Sequence, residues 1–265
     1  MTSGLTPNPF SVVDRQIVIV GGTAGIGLAV AAHLVDAGAQ VVITGRRASG
    51  SDVASAIGAT FVRMDVVDDA SVAEGFRIIN GRIDCLILNA GIDADSGEIE
   101  AIDLATVEQI FDVNTLGLVR ALAHGNRAMV AGGSVVVTSS PAGTVAVPGM
   151  AAYSASKAAL DMLVRTWALE LGPRQIRVNA VLPGIVESEM DSESAPEVEL
   201  IRRMTANGVY RKASEMAPVY HFLASDASAT LTGSFVGAHD GIAAGFSHEV
   251  IARLGVDLAD GRGAL

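Results

Sequence analysis

Short continuous apolar runs alternate along this chain with segments whose apolar positions recur every three to four residues. In the first run, Gln16-Ile17-Val18-Ile19-Val20, four apolar residues follow the glutamine without a polar break, as a strand buried on both faces requires. Similar runs predict strands near 40–44, 60–64, 83–88, 134–138, 176–181 and 234–237. Helical spacing marks 26–37, 104–128 and 152–171, with further helices near 68–78, 197–206 and 214–224. Alternating strand and helix signals predict an α/β fold, a doubly wound parallel sheet with helices on both faces. No linker, repeat or low-complexity stretch divides the 265 residues, so a single domain is expected over 1–265. Residues 1–13 read as an N-terminal extension and 246–265 as a C-terminal tail that caps the site, joins a subunit contact or lies on the surface.

The first strand runs into Gly21-Gly22-Thr23-Ala24-Gly25-Ile26-Gly27 and then a helical pattern. Glycines at such a turn let a pyrophosphate approach the free N–H groups of the helix start. The bland alternative is a flexible loop, but the flanking strand and helix favour a dinucleotide site of Rossmann type. Farther on, Tyr153 and Lys157 stand four apart in Tyr153-Ser154-Ala155-Ser156-Lys157, with Ser140 thirteen residues upstream of the tyrosine. Positions i and i+4 share a helix face. A neighbouring ammonium favours phenolate and should lower a tyrosine pKa from its usual value of about 10. Tyr153 would then serve as a general acid or base near neutral pH.

With these motifs the chain resembles the short-chain dehydrogenase/reductase family, over roughly residues 14 to 245. The family pattern is a Thr-Gly-x-x-x-Gly-Ile-Gly turn, Asn-Asn-Ala-Gly, a helix Asn, a Ser and Tyr-x-x-x-Lys. The matching stretches here are Val20-Gly21 through Gly27, Leu88-Asn89-Ala90-Gly91, Asn114, Ser140, and Tyr153 with Lys157. Pro183-Gly184-Ile185-Val186-Glu187-Ser188 resembles the Pro-Gly turn beyond the sixth strand. The resemblance implies a catalytic set of Asn114, Ser140, Tyr153 and Lys157. Tyr153 would transfer the proton, Lys157 would also hold the nicotinamide ribose, and Ser140 would bond the reacting oxygen. Asn114 would hold a water joining Lys157 to solvent, unless it serves only to kink its helix. Ser139 competes with Ser140 for the serine role; the thirteen-residue spacing favours Ser140.

The same resemblance implies cofactor contacts at Gly21, Thr23, Gly25, Ile26 and Gly27 in the turn, and at Asp65 and Val66 against the adenine. Asn89, Ala90 and Gly91 would form the floor, and Tyr153, Lys157, Pro183, Gly184, Val186 and Ser188 would meet the nicotinamide end. The chain departs from the family at Val20 for Thr, Leu88 for the first Asn, Ser188 for Thr, and His239-Asp240-Gly241-Ile242 for Val-Asp-Gly-Gly. The segments from Arg46 to Phe61 and from Asp65 to Ile83 are shorter than usual, by about a helical turn each.

Charge separates the two nicotinamide cofactors. An NAD-selective site places an acid about 20 residues past the glycine turn to bind the ribose 2′-hydroxyl. Gly45 stands there instead, followed by Arg46 and Arg47, whose guanidiniums can grip a 2′-phosphate. NADP(H) is therefore the expected cofactor, with NAD(H) possible. A solvated arginine pair is the alternative.

Composition excludes other classes. A net charge of −11 opposes nucleic-acid binding, which calls for clustered Lys and Arg. No apolar stretch reaches the ~18 residues a membrane span needs, and Met1 to Pro9 lacks the features of a secretory signal. The single cysteine, Cys85, lies in an apolar run and reads as a small core residue, which fits a cytoplasmic protein. The five histidines, at 33, 124, 221, 239 and 248, lack metal-ligand spacing.

The expected partner is a small ketone or alcohol. A 3-oxoacyl carrier-protein reductase is the alternative, which the acidic chain disfavours because carrier proteins are acidic too. A non-catalytic nucleotide-binding regulator is a further one. Glu187, Glu189, Asp191, Glu193, Glu197 and Glu199 crowd the substrate-loop region, either as a solvated run or as a field that disfavours anionic substrates. Leu116, Leu118, Val119 and Leu122 on one helix, and Leu160, Met162, Leu163 and Trp167 on another, exceed a single apolar stripe. That excess predicts a homo-oligomer, which the resemblance makes a homotetramer.

Overall fold

In the computed structural model, which describes residues 8–94, 96–187, 196–247 and 250–251, strands and helices alternate as the periodicity predicts. In chain order they are β1 (Gln16–Val20), α1 (Gly25–Asp36), β2 (Gln40–Gly45), α2 (Gly50–Ile57), β3 (Thr60–Arg63), α3 (Asp69–Ile79) and β4 (Ile83–Leu88). Next come α4 (Leu104–Phe111), a π-helical turn (Asp112–Leu116), α5 (Gly117–Gly125), β5 (Met129–Thr138), α6 (Ala151–Leu171) and β6 (Arg177–Pro183). The chain continues through β7 (Val186–Glu187), α7 (Pro196–Met204), β8 (Arg211–Lys212), α8 (Ala217–Ala224) and β9 (Phe235–Ala238). Seven strands form one parallel sheet in the order β3-β2-β1-β4-β5-β6-β9, while β7 and β8 pair separately.

The continuous apolar runs are explained by burial on both faces. Along β1, Val18 and Val20 join the core beneath α3, α5 and α6, with Leu86, Val135, Leu160 and Trp167. Ile17 and Ile19 face the other way, into the core of α1 and α8, with Leu34, Val136, Tyr220 and Leu223. Cys85 is buried in this second layer, where burial pushes its thiol up to about 11 and leaves it unreactive near neutral pH. Among the described residues no helix is long and apolar enough to cross a membrane.

Three elements differ from expectation. The helix expected over 104–128 is broken at Asp112–Leu116, where the ladder switches to π spacing. Arg120 secures that turn, pairing with Asp112 at 2.8 Å and donating to the Val66 carbonyl at 3.2 Å. The shortened segment after Arg46 still holds a helix, α2. Part of the N-terminal extension is fastened to the body: Val12 is buried, the Pro9 carbonyl accepts from Ala227 N at 2.8 Å, and the Phe10 carbonyl meets His221 Nε2 at 2.7 Å.

Strand order reverses between β1's two neighbours, β2 and β4. In open α/β sheets the crevice beyond the strands' carboxyl ends at such a reversal is where ligands bind.

Candidate active site

That crevice is a cleft of about 380 Å³. Its floor is the glycine turn. Gly21 and Gly22 donate to the Thr44 carbonyl at 3.2 and 3.1 Å, and Asn89 Nδ2 donates to the Gly21 carbonyl at 2.8 Å. A Cβ on Gly21 would lie 2.6 Å from Ala90 Cα, and one on Gly27 2.1 Å from the Gly21 carbonyl oxygen. Both positions therefore require glycine. Gly25, at φ +53°, begins α1 and would direct a Cβ into open space. The result is a helix N-terminus without side chains to obstruct an anion, which fits the pyrophosphate of a dinucleotide. Ile26 is partly buried against the core beneath α1.

Thr23, Asp65, Val66, Ala90 and Gly91 line the cleft with the turn. Thr23 also accounts for the missing acid at position 45: a Cβ on Gly45 would come within 2.8 Å of its hydroxyl. Arg46 and Arg47 line the rim beside it. Behind them, outside the cleft lining, Arg63 donates through Nε to the Arg46 carbonyl at 3.1 Å and braces that backbone. Sequence spacing overlooked Arg63; its signal was a basic residue two before Asp65, at the end of the neighbouring strand.

The Tyr153–Lys157 pair stands on α6, outside the residues that line the cleft, and only Lys157 reaches its wall, at Gly91. Lys157 is buried and donates from Nζ to the Thr138 carbonyl at 3.0 Å. It lies 5.6 Å from the centroid of the Tyr153 ring. A Cβ on Gly91 would find Asn114 Oδ1 at 3.4 Å and Lys157 Nζ at 3.6 Å, so both side chains flank one point of the cleft wall. Ser140 caps the short 3₁₀ turn at Pro141–Gly143; its Oγ accepts from Ala142 N at 3.2 Å, leaving its own proton to donate. Ser140 also bonds the Tyr153 phenol and favours its anion. The neighbouring hydroxyl is committed elsewhere, because Ser139 donates to Asp161 at 2.6 Å. The choice of Ser140 over Ser139 thus has a geometric reason.

The expectation that Lys157 lowers the tyrosine pKa is not met. Burial raises the Tyr153 pKa, Ser140 opposes the rise, and the Asp93 carboxylate adds to it. The ammonium sits over the ring instead of at the phenol oxygen. Lys157 itself is lowered to about 8 by burial, with Asp161 and then Asp93 pulling it back up.

Asn114 lies in the π turn, fully buried, where Oδ1 accepts from Ile92 N at 2.7 Å and Nδ2 donates to the Ile92 carbonyl at 2.9 Å. Nδ2 also reaches Ser156 Oγ at 3.3 Å, joining the helix break to α6. Asn114 therefore sits at a break and pins the backbone that carries Gly91 and Asp93.

Beyond β6, Gly184 N donates to the Ala238 carbonyl at 2.8 Å, and a Cβ on Gly184 would lie 3.0 Å from His239 Cα. Pro183 closes β6, three places from β1 in the sheet, and Val186 opens β7. None of these three lines the cleft. Ser188, Glu189, Asp191 and Glu193 lie outside the described residues. Sequence reasoning also passed over Thr138, Asp93 and Asp161. Thr138 donates to Asn89 Oδ1 at 2.9 Å and therefore accepts from Tyr220, 2.8 Å away, while its carbonyl holds Lys157. One residue thus connects the glycine turn to the lysine.

Residues 21–243 match a family model described as enoyl-(acyl carrier protein) reductase. The chain is 35% identical over 245 residues to short-chain dehydrogenase reductase 5 of Arabidopsis thaliana, covering 86% of this chain and 95% of that protein. It is 32% identical over 244 residues to cis-4-hydroxycyclohexanecarboxylate dehydrogenase of Sinomonas cyclohexanicum, covering 87% and 97%. A solved short-chain type dehydrogenase/reductase from Mycobacterium ulcerans superposes with a TM-score of 0.85 at 28% identity, covering 96% of this chain and all of that one.

Proposed function

The chain belongs to the short-chain dehydrogenase/reductase family of oxidoreductases acting on CH–OH groups, and we propose that it interconverts a secondary alcohol and a ketone with NADP(H). The main support is the grouping of Tyr153 with Lys157 below its ring and Ser140 acting on its phenol, with Lys157 Nζ reaching Gly91 on the cleft wall.

A bound nicotinamide supplies hydride to the carbonyl carbon, or accepts it in the reverse direction. Tyr153 gives its proton to the substrate oxygen as charge grows there. Ser140 donates a hydrogen bond to the same oxygen and then to the phenolate. The raised Tyr153 pKa keeps the phenol protonated, which suits the reductive direction. Lys157 holds the cofactor ribose and carries the positive charge of the site. Asn114 and Lys157 both approach Gly91, and a water bridging their polar atoms would return the proton from solvent.

Arg46 and Arg47 at the rim support preference for NADP(H) over NAD(H), since each can fork onto a 2′-phosphate. Asp93, beside Tyr153, supports neutral or cationic substrates over anions. The Sinomonas relative is named for a ring alcohol bearing a carboxylate; we expect its neutral counterparts to be preferred here. The acyl-carrier alternative named by the family model is opposed by the net charge of −11.

Steady-state oxidation of NADPH and NADH over a panel of neutral ketones, keto acids and acyl thioesters tests the proposal. Wild type should prefer NADPH, and Arg46→Asp should weaken NADPH use and improve NADH use. A wild-type preference for NADH overturns the cofactor assignment.

A further inference from the structure

The face of α6 that carries Tyr153 and Lys157 continues one turn further to Asp161. This carboxyl group is buried at 4% exposure. Ser139 donates to its Oδ1 at 2.6 Å, and its Oδ2 is buried without a hydrogen-bond partner. The 3₁₀ turn covers it: a Cβ on Gly143 would lie 3.0 Å from Oδ2 and 3.2 Å from the backbone of Lys157 and Ala158. A desolvated carboxylate without a bonded cation is costly unless a nearby charge offsets it.

The charged groups around it are few. Arg165 favours the carboxylate from the next turn, but its guanidinium donates to the Asp161 backbone carbonyl at 3.0 Å and stacks 4.3 Å over the Phe235 ring. Lys157 is the other cation, buried one turn before. From the loop after β4, Asp93 faces Lys157 and Tyr153. From the end of β5, Ser139 is the neutral donor.

We propose, building on the Tyr153–Lys157 assignment, that Asp161 is a positioning residue whose Ser139-fixed carboxylate keeps Lys157 charged inside a dry site. The ammonium then stays on the Thr138 carbonyl and over the Tyr153 ring. The adjacent serines divide the work: Ser140 turns to the substrate side, and Ser139 holds the counter-charge behind the lysine. Burial lowers the Lys157 pKa, and Asp161 ranks ahead of Asp93 among the groups that oppose the fall.

The chain has only two lysines, Lys157 and Lys212, so protein labelled with ¹³C at the lysine ε position gives two methylene signals. A Lys212→Arg variant assigns them. Titrated without substrate, the Lys157 signal should show a midpoint of about 8 in wild type. In Asp161→Asn, which keeps an acceptor for Ser139, the midpoint should fall by about one pH unit or more. Asp161→Glu, which keeps the charge, should return it toward wild type. An unchanged midpoint in Asp161→Asn overturns the proposal. Should that variant not fold, carboxyl-labelled wild type must show an Asp161 inflection at the Lys157 midpoint, and its absence overturns the proposal equally. Turnover is not read, so failure here is distinct from failure of Tyr153 as proton donor.

Discussion

Burial holds the Lys157 ammonium down to about 8, against an ordinary 10.5. Between these values the unfolded chain binds more protons than the folded one, so this group makes stability rise with pH across that window. Relative to Lys157→Met, wild type should therefore gain unfolding free energy from about pH 8 to pH 10. Urea unfolding of both proteins at a series of pH values measures it, and a constant difference contradicts the desolvated lysine. The pairing of Tyr153 with Lys157 was legible because a helix turns i, i+4 into a shared face, whereas Ser140 was reached only through the family resemblance. The direction of the tyrosine shift was not legible. It is set first by burial of the phenol, which only the folded structure reveals, and then by Asp93, sixty residues earlier in the chain.

At the scale of elements, the buried strands were legible because continuous apolar runs have few other uses, whereas α2 went unseen. Its eight residues place only Val53, Ala54 and Ile57 on an apolar face, too few for a helical period. The β7–β8 pairing, two residues long on each side, leaves no pattern at all. The π turn was hidden for another reason: Leu116, Leu118, Val119 and Leu122 keep apolar spacing across it. Those residues also divide differently from the expected two-faced helix. Leu118, Leu122, Leu160 and Trp167 are used up in the protein's own core, while Leu116, Met162 and Leu169 remain exposed. Met162 and Leu169 stand seven apart on α6 and share one face. We expect a homotetramer that uses this face, so Met162→Glu with Leu169→Glu should lower the mass found by light scattering. A wild-type monomer at micromolar concentration, or an unchanged mass in the variant, contradicts that expectation.

Across the whole molecule the charge balance is acidic, at −11, and the Asp93 carboxylate acts on Tyr153. The cleft carries a basic rim of Arg46 and Arg47, so under the proposed assignment an anion is favoured at the cofactor end and opposed at the substrate end. A keto acid should show lower kcat/KM than its neutral ester at low salt, and the gap should narrow as salt shortens the Debye length to about 8 Å or less. Equal or better use of the anion at low salt contradicts this.

The proposed reaction rests on Tyr153 as the proton donor, and one substitution tests that most directly. Tyr153→Phe keeps the ring over which Lys157 lies and removes only the hydroxyl. With NADPH and a ketone that wild type reduces, turnover should fall by about 10²–10⁴, the usual contribution of a general acid. NADPH affinity, followed by fluorescence titration, should stay near that of wild type. Retention of more than roughly a tenth of wild-type turnover, with hydride transfer limiting, would contradict the proposed role, since that loss is well short of the general-acid contribution.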